Sequence, residues 1–572
     1  MAQTAPQQWM VYTKKADFRH IADRFGIDPV LARILTNRGI VGDEAIDRYL
    51  NGTLKDLYDP ALLKGADRAS EILLQKIRDK KRIRVVGDYD IDGVCSTYIL
   101  VSALSALGAD VDHRIPHRIK DGYGINEAII DEALADGLDT IITCDNGISA
   151  FSQVEKAKTS GMTVIVTDHH EIPKDGDREV IPPADVVINP KMSESGYPFP
   201  EICGAVVAWK LIAVLLRNAG RPDSDWMKYL DFAAIATVGD VMPLIDENRI
   251  IVKYGLPAVE RTENPGLRAL IEKTGAEQHA LTAYTIGFVI GPAINAGGRL
   301  ESADLAEELF LSKNPFAIEE LSKRLVELND ERKDMTEEET VRASEIVEKQ
   351  YEDDKVLVVY LPGCHESLAG IIAGRLREKY QKPSIVLTDG ETSVKGSGRS
   401  IENYHMFAKL TEVKDLLLKF GGHPMAAGLS IDRENVDEFR RRLNENSGLT
   451  DADLTAKIWI DVPMPIGYVS EKLIGELEML EPFGQANDKP IFAEAGLGIR
   501  SCRVLGKNRN VVKMTLVEPD GHAMDAVVFT DGDCFEEERG GRTTVDIVYY
   551  PEINEYNGRT SLQAVVRRYR FR

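Results

Sequence analysis

The feature that most constrains the fold is a repeated pattern in which a short apolar run is followed, within two residues, by an aspartate. The runs occupy residues 83–86, 140–143 and 163–167, and polar loops and helical stretches separate them up to about residue 240. Such an alternation of strand and helix is typical of a parallel sheet covered by helices. Because the carboxyl ends of parallel strands face one crevice, we expect the aspartates to converge there.

The side chains that follow these runs are chemically consistent with a metal site. They are Asp88, Asp90, Asp92, Asp145, Asp168, His169 and His170. Carboxylates with one or two histidines suit manganese or magnesium better than zinc, which usually recruits more nitrogen or sulfur ligands. A calcium-binding loop is the competing interpretation of residues 88–93, but the glutamate that should close it is missing. Each fragment alone also has a purely structural interpretation, as a turn or as ordinary buried histidines.

The rest of the chain divides into further regions. Residues 1–80 are predicted to be helical, and residues 318–351 form one long or two shorter charged helices without glycine or proline. A second α/β unit begins with the strand at 356–361, continues through a helix at 367–380 and a strand at 384–387, and ends near residue 430. From about residue 461, short β-branched runs separated by turns predict a small β-barrel.

Composition limits the function classes. The net charge of −22 opposes nucleic-acid binding by the chain as a whole, although residues 500–513 and 567–572 are locally basic. Six scattered cysteines argue against a disulfide framework and against a zinc site. The N-terminus carries no secretory signal pattern and the most apolar stretch, 204–220, is too short to span a membrane. We therefore expect a cytoplasmic protein without a membrane association.

Taken together and in order, these motifs resemble those of the DHH phosphoesterase superfamily. The triplet that names the superfamily stands here as Asp168-His169-His170, and Asp240, at the end of the sequence Thr-Val-Gly-Asp, resembles a fourth motif. The resemblance implies two Mn²⁺ or Mg²⁺ ions per active site. It implies metal ligands at Asp90, Asp92, Asp145, His169 and Asp240, with Asp145 bridging both ions, and orienting roles behind them for Asp88 and Asp168.

Other segments are similar to the RecJ-type exonuclease branch of that superfamily in particular. They are residues 115–124, 291–300 and 480–484, whereas residues 396–400 and 421–424 resemble the substrate-binding domain that is associated with the superfamily. This resemblance implies catalytic roles for Asp145, His169, His170 and His423. It also implies that the substrate is held by Arg118, Asn295, Arg299, Ser397, Arg399, Gly421, Gly422 and His423.

The resemblance also implies an architecture. The expected regions are an N-terminal helical region (1–80), an α/β DHH catalytic domain with a parallel sheet (81–305) and connecting helices (306–352). A second α/β domain of the DHHA1 type, which binds substrate, follows at 353–450, and an OB-fold β-barrel for nucleic acid at 455–572. Phe529, Tyr549, Tyr550 and Tyr556 are candidate stacking surfaces on the barrel, although strand aromatics are more often core.

The implied activity is single-strand-specific 5′-to-3′ exonuclease action on DNA that releases 5′-mononucleotides, in repair and recombination. A monomer assisted by a helicase and a single-strand-binding protein is expected. Two other classes stay open: a hydrolase of small phosphodiesters or pyrophosphate, and a scaffold that has lost catalysis. The barrel argues against the first and the intact ligand set against the second. The sequence departs from the family at Ala293, where arginine is usual, and at Cys364, where tryptophan is usual.

Overall fold

A computed structural model of the chain describes residues 7–278, 280–556 and 558–572, apart from the side chain of Tyr556. The chain divides into two compact units. The first unit comprises residues 51–335 and 482–488, and the second comprises residues 7–50, 336–481 and 489–572. A boundary between the units falls inside one long helix, so this helix belongs to both.

The strands in the first half of the chain are β1 (Gln7–Val11), β2 (Arg82–Val86), β3 (Asp110–Arg114), β4 (Thr140–Cys144), β5 (Thr163–Thr167), β6 (Lys174–Asp175), β7 (Arg178–Glu179) and β8 (Val186–Ile188). The next are β9 (Leu357–Tyr360), β10 (Ser384–Asp389), β11 (Val394–Arg399), β12 (Leu417–Gly422), β13 (Ala426–Ile431) and β14 (Ala456–Ile460). The last are β15 (Val462–Pro463), β16 (Phe492–Leu505), β17 (Val511–Val517), β18 (Ala523–Phe529), β19 (Thr544–Tyr556) and β20 (Arg559–Phe571).

The helices begin with α1 (Phe18–Phe25), α2 (Pro29–Asn37), α3 (Asp43–Asn51), α4 (Ala66–Arg78), α5 (Ile91–Ala106), α6 (Glu127–Ala135) and α7 (Phe151–Thr159). They continue with α8 (Gly204–Asn218), α9 (Ser224–Met227), α10 (Leu230–Gly239), α11 (Asp246–Glu260), α12 (Pro265–Thr274), α13 (Ala283–Thr285) and α14 (Gly291–Leu300). The remaining ones are α15 (Asp304–Leu311), α16 (Pro315–Gln350), α17 (Ala369–Tyr380), α18 (Met406–Glu412), α19 (Val436–Glu445), α20 (Glu471–Glu478) and α21 (Gly532–Arg539).

The first unit is built on a parallel sheet with strand order β3-β2-β4-β5-β8. Its central strands are buried along almost their whole length, as expected for a parallel sheet covered on both faces. The three predicted strands are all present, and their carboxyl ends lie side by side. Helices α5, α8 and α10 pack together in the main core of this unit.

Helix α8 is buried on all sides from Gly204 to Leu216, which is typical of a helix inside a core rather than on a surface. Its one charged residue in this stretch, Lys210, is fully buried and donates to Glu247 Oε1 at 2.7 Å and to the carbonyl oxygen of Tyr58 at 2.9 Å. Glu247 also accepts from the hydroxyl of Tyr197 at 2.6 Å. The buried pair is therefore fully hydrogen-bonded.

The second unit contains a five-stranded mixed sheet with the order β12-β13-β11-β10-β9, in which only β9 and β10 run parallel. Helix α17 packs on β10 and β11 of this sheet. The single 36-residue helix α16 precedes it. Of the two forms that the sequence allowed for residues 318–351, the structure therefore has the single long helix.

The C-terminal strands close into a barrel. Strands β16, β17, β18, β20 and β19 pair in that order, and β19 pairs back onto β16. This ring of five strands confirms the predicted OB-like fold. The prediction that the N-terminal region is helical did not include strand β1. This strand pairs in parallel with β14, with Gln7 opposite Ala456.

No helix within the described residues combines the length and the apolar character that crossing a membrane would require.

The buried pair of Lys210 and Glu247 predicts a large stability effect. Replacing Lys210 with methionine leaves the Glu247 carboxylate buried without its cation, so the urea unfolding transition should report a loss of about 3–5 kcal/mol. Arg221→Met is the matched control, because Arg221 and Asp225 form an i,i+4 pair whose side chains are 50% and 30% exposed, and such a surface pair should contribute under about 1 kcal/mol. Equal effects of the two substitutions would contradict this account of the core.

Candidate metal centre and substrate contacts

The first part of the site is the turn that joins β2 to α5. Asp90 caps α5, because its side chain accepts hydrogen bonds from the backbone N–H groups of Asp92 at 3.0 Å and Gly93 at 3.1 Å. A Cβ atom on Gly93 would lie 2.4 Å from the carbonyl oxygen of Asp88. The tight turn that brings the three aspartates together therefore requires glycine at this position.

Asp92 is fully buried and is held by the amino end of α8. Its two carboxylate oxygens accept from the backbone N–H groups of Gly204 at 2.6 Å and Ala205 at 2.7 Å. A helix amino end is a favourable place for negative charge. A Cβ on Gly204 would lie only 2.7 Å from the Cβ of Asp145. Glycine at this position therefore also lets α8 approach Asp145 closely.

Asp145 follows β4 in a left-handed conformation, with φ at 60°. Aspartate tolerates this region better than most residues, and such conformations are concentrated at functional sites. The hydroxyl of Tyr123 donates to the carbonyl oxygen of Asp145 at 2.6 Å and lies 3.1 Å from Nδ1 of His170. Tyr123 thus ties the backbone of one site residue to the ring of another.

Both carboxylate oxygens of Asp168 accept hydrogen bonds from other groups of the protein. It accepts from the backbone N–H groups of Ile148, His169 and His170, and it pairs with Nδ1 of His170 at 2.8 Å. Burial would raise the pKa of Asp168, but the pairing with His170 lowers it below its usual range. Burial would likewise lower the pKa of His170, but Asp168 raises it to about 9 in the metal-free centre. His170 is 42% exposed in its side chain, so this imidazolium faces solvent.

His169 points into the group of carboxylates. Its Nε2 lies 3.1 Å from Asp145 Oδ1, 3.5 Å from Asp92 Oδ2 and 3.6 Å from Asp240 Oδ2. Burial lowers the pKa of His169, which favours the neutral imidazole that a metal ligand must present. The structure therefore brings together side chains from the ends of β4 and β5, the start of α5 and the end of α10.

These side chains form overlapping sets that fit divalent ions. Within the described residues, ligand atoms lie within 4.8 Å of one another in the sets Asp88/Asp90/Asp145, Asp92/His169/Asp240 and Asp145/His169/His170. Asp145 and His169 each belong to two of the sets. The Oδ1 of Asp145 is buried without a hydrogen-bond partner among the described residues, as expected of an atom whose partner is a cation.

The electrostatics fit a cation as well. Burial raises the pKa of Asp88, Asp145 and Asp240 well above the usual range, and repulsion by neighbouring aspartates raises each further. Carboxylates in such a place become charged only when positive charge compensates them. Divalent cations provide that charge, so the residues present suit Mn²⁺ or Mg²⁺.

Several residues expected to hold substrate lie beside this centre in the first unit. The guanidinium of Arg118 stacks on the ring of Tyr89 with its Cζ 3.9 Å from the ring centroid. Asn295 accepts the backbone N–H of Ile91 at 2.8 Å through its side-chain oxygen, so it also fixes the turn between Asp90 and Asp92. Arg299 lies one helical turn further along α14.

The other expected substrate residues lie in the second unit. Arg399 donates to Ser397 Oγ at 3.1 Å from the same face of β11. Gly421 pairs with Gly428, which pairs with Ser397, so these positions form one row across the sheet. Gly422 has φ at 149° and a Cβ there would lie 2.4 Å from the carbonyl oxygen of Ala426. The side chain of His423 next to it is exposed.

The four barrel aromatics differ in placement. Tyr549 is fully buried and donates to the carbonyl oxygen of Met464, so the suggestion that it is a stacking surface was wrong. Phe529 is 67% exposed. The ring of Tyr550 is covered by Lys489 and Arg567, at 3.8 and 4.8 Å from its centroid. The side chain of Tyr556 lies outside the described residues.

Comparison with known proteins agrees with this geometry. Sequence models of three families match: the DHH family N-terminal domain at residues 82–237, the DHHA1 domain at 353–447 and the RecJ OB domain at 460–568. The single-stranded-DNA-specific exonuclease RecJ of Bacillus subtilis (strain 168) is 36% identical over 565 residues, which cover 98% of this chain and 70% of that protein. The chain belongs to the RecJ family.

Solved RecJ structures share the fold. The crystal structure of RecJ with Mn²⁺ from Thermus thermophilus has a TM-score of 0.85 and 28% identity, and the match covers 99% of this chain and 80% of that one. The structure of RecJ with Mg²⁺ from the same organism has a TM-score of 0.79 and 27% identity, with 99% and 78% covered. Those relatives therefore bind the two cations that suit the carboxylate centre described above.

The two departures from the usual RecJ sequence are both buried. Ala293 lies in the main core of the first unit on α14. Cys364 packs in the cluster beneath α17 in the second unit. Neither side chain faces solvent, so each position contributes to packing here.

Sequence reasoning missed three contacts that candidate site residues make, two in the first unit and one in the second. Gly204 contacts Asp145 and Asp92, which lie 59 and 112 positions away, and no local pattern marks it. Tyr123 stood in a recognised segment, but its hydroxyl contact depends on the fold. Gly370 at the start of α17 lies against Ser397 and Arg399, since a Cβ there would be 2.9 Å from Ser397 Oγ and 2.8 Å from Arg399 Nη2.

Gly204→Ala should weaken Mn²⁺ binding. The added methyl would push α8 away from Asp145 and loosen its hold on Asp92, and loss of such supporting contacts typically lowers metal affinity by about 10–100-fold. Calorimetric titration of the metal-free protein with Mn²⁺ measures this. Gly475→Ala in α20, where a Cβ meets open space, is the control and should leave the affinity unchanged. An unchanged affinity in both variants would show that the α8 contact is dispensable.

The raised carboxyl pKa values predict an unusual pH dependence. Above the ordinary aspartate pKa of 3.8 the unfolded chain releases protons that the metal-free folded centre retains at Asp88, Asp145 and Asp240. The free energy of unfolding of the metal-free protein should therefore fall as pH rises from 3.8 towards the raised pKa values. Because Mn²⁺ replaces those protons, it should raise the melting temperature more at about pH 8 than at about pH 5.

Melting curves with a chelator and with Mn²⁺, for the wild type and Asp145→Asn, test this link. The asparagine cannot ionise, so the variant should lose part of the pH slope and much of the Mn²⁺ effect. If both proteins responded identically to pH and to Mn²⁺, the link between this centre and stability would be refuted.

Proposed function

We propose that this chain is a single-strand-specific DNA exonuclease that hydrolyses phosphodiester bonds from the 5′ end and releases 5′-mononucleotides. The observation that carries the proposal is the convergence of Asp88, Asp90, Asp92, Asp145, His169 and Asp240, four of them buried and two half-buried, which is the ligand chemistry of a two-ion hydrolytic centre. Membership of a family whose curated members are named single-stranded-DNA-specific exonucleases supports the substrate.

The ligand sets lead to an assignment of the two ion positions. Asp92, His169 and Asp240 form one set and would hold one ion, and Asp90 would hold the other. Asp145 lies in one set with Asp90 and in another with His169, and the family resemblance assigns it to both ions. Asp88 was expected only to orient the ligands, but its carboxylate lies within the set of Asp90 and Asp145. Asp168, whose oxygens are occupied by protein donors, keeps the orienting role. When bound, the cations supply Lewis-acid activation of water and stabilise charge on the leaving oxygen.

The chain's own side chains supply the remaining chemistry. His169 contributes an unprotonated Nε2, and the hydroxyl of Tyr123 and the carboxylate of Asp168 fix the ring of His170. The exposed side chain of His170 would contact the phosphate and stabilise charge at the transferring phosphoryl group. His423 is assigned a similar role by resemblance, as are Asn295 and Arg299 near the scissile phosphate.

The same proposal covers recognition of the strand end. Arg118, Ser397 and Arg399 would bind the 5′-terminal phosphate, with Gly421 and Gly422 allowing the backbone to approach it. The Ser397–Arg399 pair is supported by their hydrogen bond and by Gly370, which leaves room beside them. The proposed regions are 1–80, 81–305, 306–352, 353–450 and 455–572, with substrate binding in the fourth and nucleic-acid binding in the last.

The cellular setting belongs to the proposal as well. We infer a cytoplasmic monomer that acts in repair and recombination with a helicase and a single-strand-binding protein. Support for these statements comes from the family resemblance alone.

Digestion of a 3′-labelled single strand in the presence of Mn²⁺ tests the activity and its polarity. The wild type should produce a ladder of progressively shorter 3′-labelled products from the single strand and leave a blunt duplex intact. Asp145→Ala removes the shared ligand and should lower the rate by at least about a hundredfold, because the loss of a direct ligand exceeds the effect of a supporting one.

Asp175→Ala serves as the matched control, since Asp175 is exposed on β6 and should not affect the rate. If the first labelled product were a mononucleotide, the enzyme would digest the strand from its 3′ end, and the proposed polarity would be wrong. An intact strand with the wild type would favour hydrolysis of a small phosphodiester, which the same centre could perform on a dinucleotide or pyrophosphate.

A further inference from the structure

Two exposed aromatic rings stand out in the first unit. Tyr284 and Phe288 are 68% and 66% exposed. Their ring centroids are 4.6 Å apart and their planes differ by 23°, so the rings are stacked. Large aromatic side chains that are this exposed and lie together commonly mark a binding surface. We call this pair the ring platform.

The ring platform belongs to a helical rod that leads to the metal centre. Tyr284 lies in α13, Phe288 lies in a π-helix (Ile286–Ile290), and α14 follows without a break. Asn295 on α14 fixes the backbone N–H of Ile91. At about 1.5 Å per residue along a helix, Phe288 lies roughly 10 Å from Asn295. A π-helix inside a longer helix is frequently found at functional sites.

The inner side of the rod packs on residues that carry the ligands. A Cβ on Gly287 would lie 3.7 Å from Cγ1 of Val238, two residues before Asp240. A Cβ on Gly291 would lie 3.2 Å from Cδ1 of Ile91, which stands between Asp90 and Asp92. The helical rod therefore packs against the segment that carries Asp240 and against the turn that carries Asp90 and Asp92. The rings of the platform lie on its exposed side.

The chemistry of the platform favours one kind of occupant. The two rings of the platform are uncharged and the ligands of the neighbouring centre are carboxylates, so the platform itself does not attract phosphates. The π-face of a base is uncharged and apolar, and it stacks on tyrosine or phenylalanine whatever its sequence. Val241, directly after Asp240 and 65% exposed, adds a further apolar side chain next to the ligands.

We propose that Tyr284 and Phe288 form a base-stacking platform that holds the single strand beside the metal centre. This inference rests on the proposed exonuclease function and adds to it a contact with the bases, whereas the assigned substrate residues contact phosphate. It explains why these rings stay exposed. It also predicts that the enzyme gains affinity from the bases of its substrate without reading their sequence.

Steady-state digestion of oligothymidine with Tyr284→Leu/Phe288→Leu tests the platform. Leucine keeps an apolar side chain of similar length but removes the flat π-surface. The double variant should raise KM by about tenfold or more, as expected from the contribution of base–aromatic stacking, and should change kcat much less. Phe316→Leu is the control, because Phe316 is 75% exposed in the same unit and should leave KM unchanged.

An abasic strand of equal length separates stacking from other contacts. The wild type should lose affinity for the abasic strand, whereas the double variant should bind the abasic and the thymidine strands with nearly the same KM. Equal KM values for the wild type and the double variant on oligothymidine would overturn the platform and leave the exonuclease function standing. The platform would also be overturned if removal of the bases raised KM by the same factor in the wild type and in the double variant.

A binding measurement keeps the test independent of activity. In Tyr284→Trp, oligothymidine should quench the fluorescence that the new indole adds to that of the wild type, and the abasic strand should not. If the wild type left every strand intact while this quenching occurred, the exonuclease proposal would fail and the platform would stand. Absence of quenching with thymidine strands would refute the platform whether or not the strand is degraded.

Discussion

The repulsion among the aspartates that converge at the candidate metal centre is the constraint on which the first unit depends. Asp88, Asp145 and Asp240 have pKa values raised well above the usual range because burial and neighbouring carboxylates disfavour their charge. A chain that places such groups together must hold them there by other contacts. The capping of α5, the amino end of α8 and the hydroxyl of Tyr123 provide those contacts, and each acts on the backbone or on a carboxylate of the centre.

The same constraint accounts for the core behind the centre. Helix α8 can direct its amino end at Asp92 only if the helix is fixed deep in the protein, and it is buried on all sides from Gly204 to Leu216. The hydrogen-bonded pair of Lys210 and Glu247 then fixes its position inside that core. Stability and chemistry are thus coupled through one helix, since what anchors α8 also positions the metal ligands.

Much of this architecture could be predicted from the sequence because it is local. The strands ending before Asp88, Asp145 and Asp168 follow from short apolar runs, and their parallel order follows from the helices between them. The closed barrel was likewise indicated by short strands and turns. Charge and the absence of glycine and proline predict that residues 318–351 are helical, but they leave open whether this is one long helix or two shorter ones.

The remainder depends on contacts between distant parts of the chain. Three such contacts leave no periodic signal in the sequence. They are the approach of Gly204 to Asp145, the pairing of β1 with β14 and the closure of β19 onto β16. Tyr549 and Phe529 illustrate the same limit within the barrel. Both are aromatic residues on strands, yet one is fully buried and the other is exposed, because a one-residue step along a strand or its position in the closed sheet decides which way a ring faces.

The π-helix has an evolutionary consequence that the ligand residues alone do not reveal. A π-helix contains one residue more per turn than the α-helix it interrupts. Deleting a single residue between Ile286 and Ile290 would restore an α-helix and leave Tyr284 facing in nearly the same direction relative to Asn295, because the wider turn of the π-helix takes up about one residue. Homologous chains that differ by one residue here can therefore keep the orientation of α13 relative to α14, so that residue identity, rather than length, would decide which side chains this segment presents to the nucleic acid.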